Sequence, residues 1–132
     1  MHVGSAADVE ELRAWGTQRT AQLATSLGLT HEIAPASDPF YAPTARGRML
    51  LQRVKGLKTE LLLDIGAGRT IAAASFNDHE RFFGECFDIR LSSGDHASSG
   101  CVAFGLERWL LAFMVAHGPD PAGWPDLGTD DL

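Results

Sequence analysis

The sequence predicts a single α+β domain in which an antiparallel sheet carries flanking helices on one face. Three observations support this prediction: an amphipathic helical pattern near the amino terminus, several short apolar segments joined by tight turns, and a second apolar helix near the carboxyl terminus. A chain of 132 residues has room for one modest core, so we expect one domain at most.

Composition argues against several classes of protein. The hydrophobic fraction is 45% and the charged fraction 21%, both ordinary for a globular domain. No apolar run reaches the roughly 20 residues of a membrane helix, and the first residues lack the basic start and apolar core of a signal peptide. The formal net charge of −6 argues against a nucleic-acid partner. Two cysteines are too few for a disulfide framework, so we expect a cytoplasmic location without a membrane partner.

Residues 6–27 predict the first helix. Ser5 can cap it, and Asp8 three positions later gives a capping-box pattern with a carboxylate near the positive end of the helix dipole. Gly16 and Thr17 weaken the middle, because both are poor helix formers. Gly28 fits a left-handed cap. The apolar positions fall near one stripe, formed by Val9, Leu12, Leu23 and Leu27 with Trp15 at its edge.

Apolar segments in the first half of the remaining chain predict the sheet. Residues 29–35 are predicted to form a short strand, and residues 36–47, which hold two prolines, are predicted to form a loop. For residues 48–54 the sequence is compatible with a strand or a short helical turn. Residues 59–66 and 70–76 are buried strands, and the short glycine-rich turn between them predicts an antiparallel hairpin.

The second half alternates mixed and apolar segments. Residues 77–89 hold aromatic side chains that can pack in a core and polar ones that can face a cleft, and residues 92–100 form a polar turn. Residues 101–105 predict a third strand, which leads into an apolar helix at residues 105–117. The prolines and aspartates of residues 119–132 predict a loosely held tail.

The junction between this third strand and the helix after it is the candidate site. Gly105 opens the helix, whose first turn presents free N–H groups and the positive end of the dipole. Arg108 lies in that turn, and its planar guanidinium can pair with a phosphate or stack on an aromatic base. A nucleotide suits such an arginine. The alternative is a surface arginine paired with a carboxylate.

The segment "CVAFGLERW" at residues 101–109 resembles motif 3 of class II aminoacyl-tRNA synthetases. Further segments follow one order upstream, namely "ASDPFY" at 36–41, "GRML" at 47–50, "LKTELLL" at 57–63 and "ASFNDHERFFGECFDIR" at 74–90. As a set they resemble the amino acid:[carrier protein] ligases, which are similar to seryl-tRNA synthetases. The resemblance implies a partial class II synthetase catalytic fold for residues 1–118, with residues 119–132 as an acidic, proline-rich tail.

The resemblance also implies an activity. Such ligases use ATP and Mg²⁺ to activate a small amino acid, and they transfer it to the phosphopantetheine thiol of a carrier protein. Arg108, preceded by Glu107, matches the arginine that lies against ATP. Ser75 and Asn77 fall in the segment that resembles the adenylate pocket, and Glu60 faces the same cleft in the family. A glutamate inside an apolar strand is costly unless paired, so both a site and a salt bridge remain open for Glu60.

A zinc ion is the second group that the resemblance implies. Cys101 matches a cysteine that helps to hold this ion, which binds the amino group of the substrate. A thiolate suits zinc, but one cysteine is not a site, and the alternative for Cys101 is a small buried hydrophobe. His79 and Glu80 lie where the family carries polar residues near the amino acid or carrier, and a solvated loop is the alternative for both.

Three departures from the family limit these expectations. The first is that motif 1, motif 2 and the other two zinc ligands of the family would lie ahead of Met1. The second is that residues 65–77 lack the carboxylate that binds magnesium in the family. The third is that Ala103 stands where the family usually has a glycine. We therefore expect an isolated chain that is inactive without a complementing half, and a partner subunit or homo-oligomer that covers the exposed sheet edge. The alternatives are a non-catalytic relative that acts as a binding or regulatory module, and a remnant in which Arg108 has become a structural ion pair.

Overall fold

A computed structural model describes residues 1–36 and 56–126. Within these residues five strands form one sheet: β1 (His2–Gly4), β2 (His31–Pro35), β3 (Lys58–Asp64), β4 (Thr70–Asp78) and β5 (Ser98–Phe104). Three helices accompany the sheet in the same residues: α1 (Ala6–Ser26), α2 (Phe82–Phe87) and α3 (Leu106–His117). A 3₁₀ turn at Pro121–Gly123 follows α3.

The sheet has the order β1-β5-β4-β3-β2, and all neighbouring strands are antiparallel. The predicted α+β class and the predicted β3–β4 hairpin are both confirmed. The predicted polar turn at residues 92–100 is wrong at its end, because residues 98–100 belong to β5. These small residues pair with β1, which lies more than ninety positions away in the sequence, so remote pairing overrides their local turn preference.

Helix α1 is unbroken and begins as predicted. The Ser5 side chain accepts a hydrogen bond from the Asp8 amide, and Asp8 Oδ2 accepts one from the Ser5 amide at 2.7 Å. Gly16 does not interrupt the helix, because it lies where α1 touches the sheet: a Cβ at Gly16 would be 2.5 Å from Val102 Cγ2. Gly28 follows the helix with a φ of 65°, which agrees with the predicted left-handed cap.

The hydrophobic core lies between one face of the sheet and helices α1 and α3. Leu61, Leu63 and Phe76 are fully buried there, and Ala24 of α1 and Trp109 of α3 pack in the same cluster. The core therefore packs the two long helices, α1 and α3, against strands β3 and β4.

Two predictions about aromatic side chains are wrong. Trp15 is 59% exposed, because the buried stripe of α1 runs through Gly16, Thr20 and Ala24. Phe82 and Phe87 are also exposed, and both contact Phe83 on the short helix α2 instead of the core.

The predictions for residues 37–54 lie outside the described residues, as does the end of the tail at residues 127–132. In the described part of the tail, Trp124 packs edge-on against Phe113 at 5.2 Å between ring centroids. Its Nε1 donates a hydrogen bond to the Gly118 carbonyl at 3.1 Å. No helix within residues 1–36 and 56–126 has the length and apolar character needed to cross a membrane.

Candidate functional site

The sheet face opposite the core carries polar side chains from its three central strands. Phe76 points into the core, so its neighbours Ser75 and Asn77 lie on the other face of β4. Residues directly opposite each other on neighbouring strands share a face. Two cross-strand rows result, one of Glu60, Ser75 and Ala103, the other of Lys58, Asn77 and Cys101. We call these six residues the polar face.

A cavity of about 220 Å³ opens on the polar face where β5 runs into α3. Glu60, Ser75 and Arg108 line it, together with Lys58, Ala103 and further small residues of β4 and β5. The cavity thus brings together three residues that the sequence singled out from three separate segments.

Arg108 is exposed in the first turn of α3, and its Nη1 donates a hydrogen bond to the Ala72 carbonyl of β4 at 2.8 Å. Gly105 allows this arrangement, because a Cβ there would lie only 3.1 Å from Arg108 Cδ. One donor of the guanidinium therefore fixes its position at the cavity. A guanidinium has five N–H donors, so others remain for a ligand.

Glu60 forms an ion pair inside the cavity wall. Its Oε1 lies 3.2 Å from Lys58 Nζ, and the two side chains are 11% and 10% exposed. Of the two interpretations that the sequence left for Glu60, the salt bridge is present, and it lies at the candidate site. Sequence reasoning missed Lys58, although the i, i+2 spacing to Glu60 on a strand places both on one face.

Asn77 connects the cavity to Cys101. Its Nδ2 donates to Ser75 Oγ at 3.0 Å and to Cys101 Sγ at 3.2 Å. The side chain is only 5% exposed, and within the described residues its Oδ1 accepts no hydrogen bond. A buried acceptor without a donor is uncommon in folded proteins and is typical of a place where a ligand or water donates.

His79 lies beside Cys101 at the end of β4. Its Nδ1 is 3.1 Å from Ser99 Oγ, and its Nε2 is 3.8 Å from Cys101 Sγ. Partial burial lowers the pKa of His79 below its ordinary value, against the opposing effect of the Asp78 carboxylate. His79 is therefore partly buried in the turn that follows β4. Glu80, the next residue, is exposed.

The donors available for a metal ion are few in the part of the chain that the structure describes. No group of three or more His, Cys, Asp or Glu side chains there is arranged to hold one. Cys101 Sγ and His79 Nε2 are nevertheless both zinc-donor atoms, and their separation is 3.8 Å. A tetrahedral zinc site needs three or four protein ligands, so this pair does not by itself form one.

Glu107 is the remaining residue that the sequence proposed. It is exposed in the first turn of α3 and is not among the residues that line the cavity. Its carboxylate lies near the positive end of the helix dipole, which is a favourable position for an acidic side chain regardless of any ligand.

Comparison with known proteins extends these observations. No protein-family model matches the chain. Amino acid--[acyl-carrier-protein] ligases 1 and 2 of Bradyrhizobium diazoefficiens are 36% and 37% identical to it over 131 residues, which is 98% of this chain. A type-2 serine--tRNA ligase of Methanopyrus kandleri is 28% identical over 130 residues. The chain spans about 40% of the length of the two acyl-carrier-protein ligases and 24% of the length of the tRNA ligase.

A solved structure shows the same fold. A chain in the crystal structure of A. aeolicus tRNASec in complex with M. kandleri SerRS matches with a TM-score of 0.80 at 24% identity. The match covers 94% of this chain and 25% of the other. Over nearly its whole length the chain is therefore homologous to a segment of the amino acid--[acyl-carrier-protein] ligases and type-2 serine--tRNA ligases, the class II synthetase-like family that its sequence resembles.

Proposed function

We propose that this protein takes part in the ATP-dependent activation of a small amino acid and in its transfer to the phosphopantetheine thiol of a carrier protein. The observation that supports this function best is the cavity at the β5–α3 junction, where Arg108, Ser75 and Glu60 meet. The two relatives whose names include an acyl-carrier protein support the choice of carrier protein over tRNA.

Arg108 is the residue to which we assign the ATP. The Ala72 carbonyl holds one guanidinium nitrogen, and the first turn of the twelve-residue helix α3 adds the positive end of its dipole. A planar cation in this position can pair with a phosphate or lie against adenine. Mg²⁺ would accompany the ATP and share in neutralising its phosphates.

The residues of the polar face provide polar contacts rather than net charge. Lys58 and Glu60 balance each other, so within the described residues Arg108 is the cation of the cavity lining that contacts a carbonyl and not a carboxylate. Ser75 offers a hydroxyl, and Asn77 offers an acceptor oxygen to a donor of the adenylate or of the amino acid. We assign adenylate binding to these residues and to Glu107, which lies in the first turn of α3.

Adenylate formation needs more than this cavity supplies. Negative charge develops around the transferring phosphate, and one arginine stabilises only part of it. Activity is therefore proposed to require a complementing segment that carries motif 2, supplied by a partner subunit. In this proposal residues 1–118 form the catalytic-fold domain, residues 119–132 an appended acidic tail, and the cytoplasm is the location.

Two features of the surface support a partner. Strands β1 and β2 form the edges of the sheet in residues 1–36 and 56–126. Helix α3 also exposes apolar side chains, namely Leu106, Leu110, Leu111 and Val115. Unpaired edges and apolar helix faces are commonly covered in natural proteins. A clean monomer in size-exclusion chromatography would count against self-association.

A non-catalytic binding or regulatory module is the second candidate. The Arg108–Ala72 hydrogen bond favours it, because that contact alone gives the arginine a structural reason to be present. ATP–pyrophosphate exchange separates the two functions. The ligase predicts exchange when a motif-2-bearing polypeptide is added and no exchange for Arg108→Ala in the same mixture. Exchange that persists in Arg108→Ala would remove this role from Arg108, and its absence from every mixture would favour the module.

A further inference from the structure

We propose that a second cavity, at the end of β4, binds the alkylammonium group of a lysine side chain or of a free alkylamine. The cavity has a volume of about 530 Å³ and lies between the start of α1, the start of β5 and helix α2. None of the side chains that the proposal uses lines the nucleotide cavity, so the inference goes beyond the proposed function. We call these six residues the amine pocket: Asp78, Glu80, Arg81, Phe82, Glu85 and Ser98.

The strand residues of the amine pocket lie on the opposite side of the sheet from the polar face. Successive side chains of a strand point to opposite faces, so Asp78 points away from the face of Asn77. Arg13 of α1 confirms this direction, because its Nη1 lies 3.9 Å from Asp78 Oδ2. Ser98 lies three positions before Cys101 of the polar face, so its side chain also points to the side of α1. The two cavities can therefore be occupied independently.

Hydrogen bonds and close packing hold the walls of the amine pocket in place. Gly84 lets α2 lie against the start of β5, because a Cβ there would clash with the Ala97 carbonyl oxygen. The Glu80 amide donates to Asp78 Oδ1 at 2.7 Å, and the Ser99 amide donates to the Glu80 carbonyl at 3.0 Å. The cavity is therefore formed without a ligand, and its volume falls in the range of about 300–1,000 Å³ that is typical of small-ligand sites.

The charge of the lining favours a cation. Three carboxylates, those of Asp78, Glu80 and Glu85, line the cavity together with one guanidinium, that of Arg81. His79 lines it too, but burial lowers the pKa of His79, so its imidazole adds no positive charge near neutral pH. Negative groups thus outnumber positive ones, and an ammonium group would reduce the repulsion among the carboxylates.

Ser98 is the residue whose hydroxyl calls for a ligand. It is only 6% exposed, and its hydroxyl makes no hydrogen bond to any residue that the structure describes. Burying a hydroxyl without a partner costs free energy, and such groups are typical of places where a ligand or water binds. An ammonium group has three N–H donors, and a hydroxyl oxygen can accept one of them while carboxylates accept the others.

Phe82 gives the amine pocket an apolar wall. Its side chain is 40% exposed, and its ring packs edge-on against Phe83 at 5.1 Å between ring centroids. An aromatic ring at a binding site can pack against methylene groups and attract a cation to its face. This combination of carboxylates, a hydroxyl and an aromatic ring matches the charged end and apolar stem of an alkylammonium, whereas a hydrated inorganic cation would make no use of the ring.

NMR titration of the ¹⁵N-labelled chain tests the site with three probes. Nα-acetyl-lysine N-methylamide represents a lysine of a polypeptide, and n-butylamine represents a free alkylamine. The third probe is the same lysine derivative acetylated on Nε, which removes its charge. Both charged probes should shift the backbone amide resonances of Ser98 and Glu85, and the acetylated probe should not. Tighter binding of the lysine derivative assigns the site to a polypeptide, and binding of n-butylamine that is at least as tight assigns it to a free amine.

Substitutions of opposite sign test the role of charge. Glu85→Gln should weaken binding of the charged probes about threefold or more, because it removes one carboxylate of a partly solvated site. Arg81→Gln should strengthen the same binding, because it removes the guanidinium that opposes a cation. Both residues are exposed, so both variants should fold. Glu11→Gln, at an exposed position of α1 outside the lining, should bind like the wild type.

Three results would overturn the proposal: no amide shift with either charged probe, equal shifts with the acetylated probe, or weaker binding in Arg81→Gln. The last result would assign the cavity to an anion. If Glu85→Gln does not fold, the direction of the change in Arg81→Gln decides alone. Arg108→Ala should bind the charged probes like the wild type, so a failure of the ATP proposal and a failure of the amine proposal are distinguishable.

Discussion

The ammonium of Lys58 lies 3.2 Å from the carboxylate of Glu60, and each side chain is only about one-tenth exposed. The two residues occupy the same face of β3, two positions apart, and both line the cavity that contains Arg108. This ion pair explains how a glutamate is accommodated in a strand whose other face carries the fully buried Leu61 and Leu63.

A double-mutant cycle with Lys58→Met and Glu60→Gln tests this pair. We expect a coupling of about 1 kcal/mol or more in the free energy of unfolding, because neither group is fully solvated. Urea denaturation of the four proteins measures it. The exposed pair Asp88 and Arg90 is the control and should couple more weakly. Equal coupling in both pairs would show that Lys58 and Glu60 are effectively in water.

Gly16 is predicted to be required by the approach of α1 to β5. Alanine is the better helix former, yet its Cβ would lie 2.5 Å from Val102 Cγ2. Gly16→Ala should therefore destabilise the fold by about 1–3 kcal/mol in urea denaturation. Adding Val102→Ala should restore part of this loss, because it removes the clashing methyl groups. A Gly16→Ala chain more stable than the wild type would contradict the packing described for α1.

The capping box of α1 predicts a pH dependence of stability. Hydrogen bonds from the Ser5 side chain and amide hold the pKa of Asp8 below its ordinary value. A lowered carboxylate pKa adds stability above the unfolded-state pKa, and this stability is lost as the pH falls through the folded-state pKa. Asp8→Asn should thus be less stable than the wild type at neutral pH, and the difference should vanish in acid. Thermal unfolding between neutral and strongly acidic pH measures it.

Two matched substitutions complete that test. Ser5→Ala should cost about 1 kcal/mol at neutral pH, as is typical for the loss of a helix cap. Glu11→Gln, at an exposed position of the same helix, should leave the pH profile unchanged. A pH profile of Asp8→Asn that parallels the wild type would mean that the Ser5–Asp8 contact contributes nothing in solution.

Local chemistry was sufficient to predict α1, its cap at Ser5, the β3–β4 hairpin and α3. Each depends on residues near one another in the sequence, such as Ser5 and Asp8 or the glycine-rich turn between the two strands. The resemblance added Glu60, Ser75, Asn77 and Cys101 of the polar face, but not Lys58. The structure then brought Glu60, Ser75 and Arg108 to one cavity.

Features that depend on strand register were not predictable. The pairing of β1 with residues 98–100 joins the start of the chain to a segment more than ninety positions later, and it assigns the end of the predicted polar turn to β5. The approach of His79 to Cys101 likewise needs the β4–β5 register. Trp15 was misplaced because the buried stripe of α1 uses small residues, including Gly16, which a hydrophobicity pattern does not count as core.

Isothermal titration calorimetry with ATP and Mg²⁺ tests most directly whether Arg108 forms one wall of a nucleotide site. We expect the wild-type chain to bind ATP and Arg108→Ala to bind it at least about tenfold more weakly, since a hydrogen bond to a charged group contributes about 1.5–3 kcal/mol. Arg19→Ala, at an exposed position of α1, should bind like the wild type. Equal affinities for the wild type and Arg108→Ala, or no binding to the wild-type chain, would contradict the assignment.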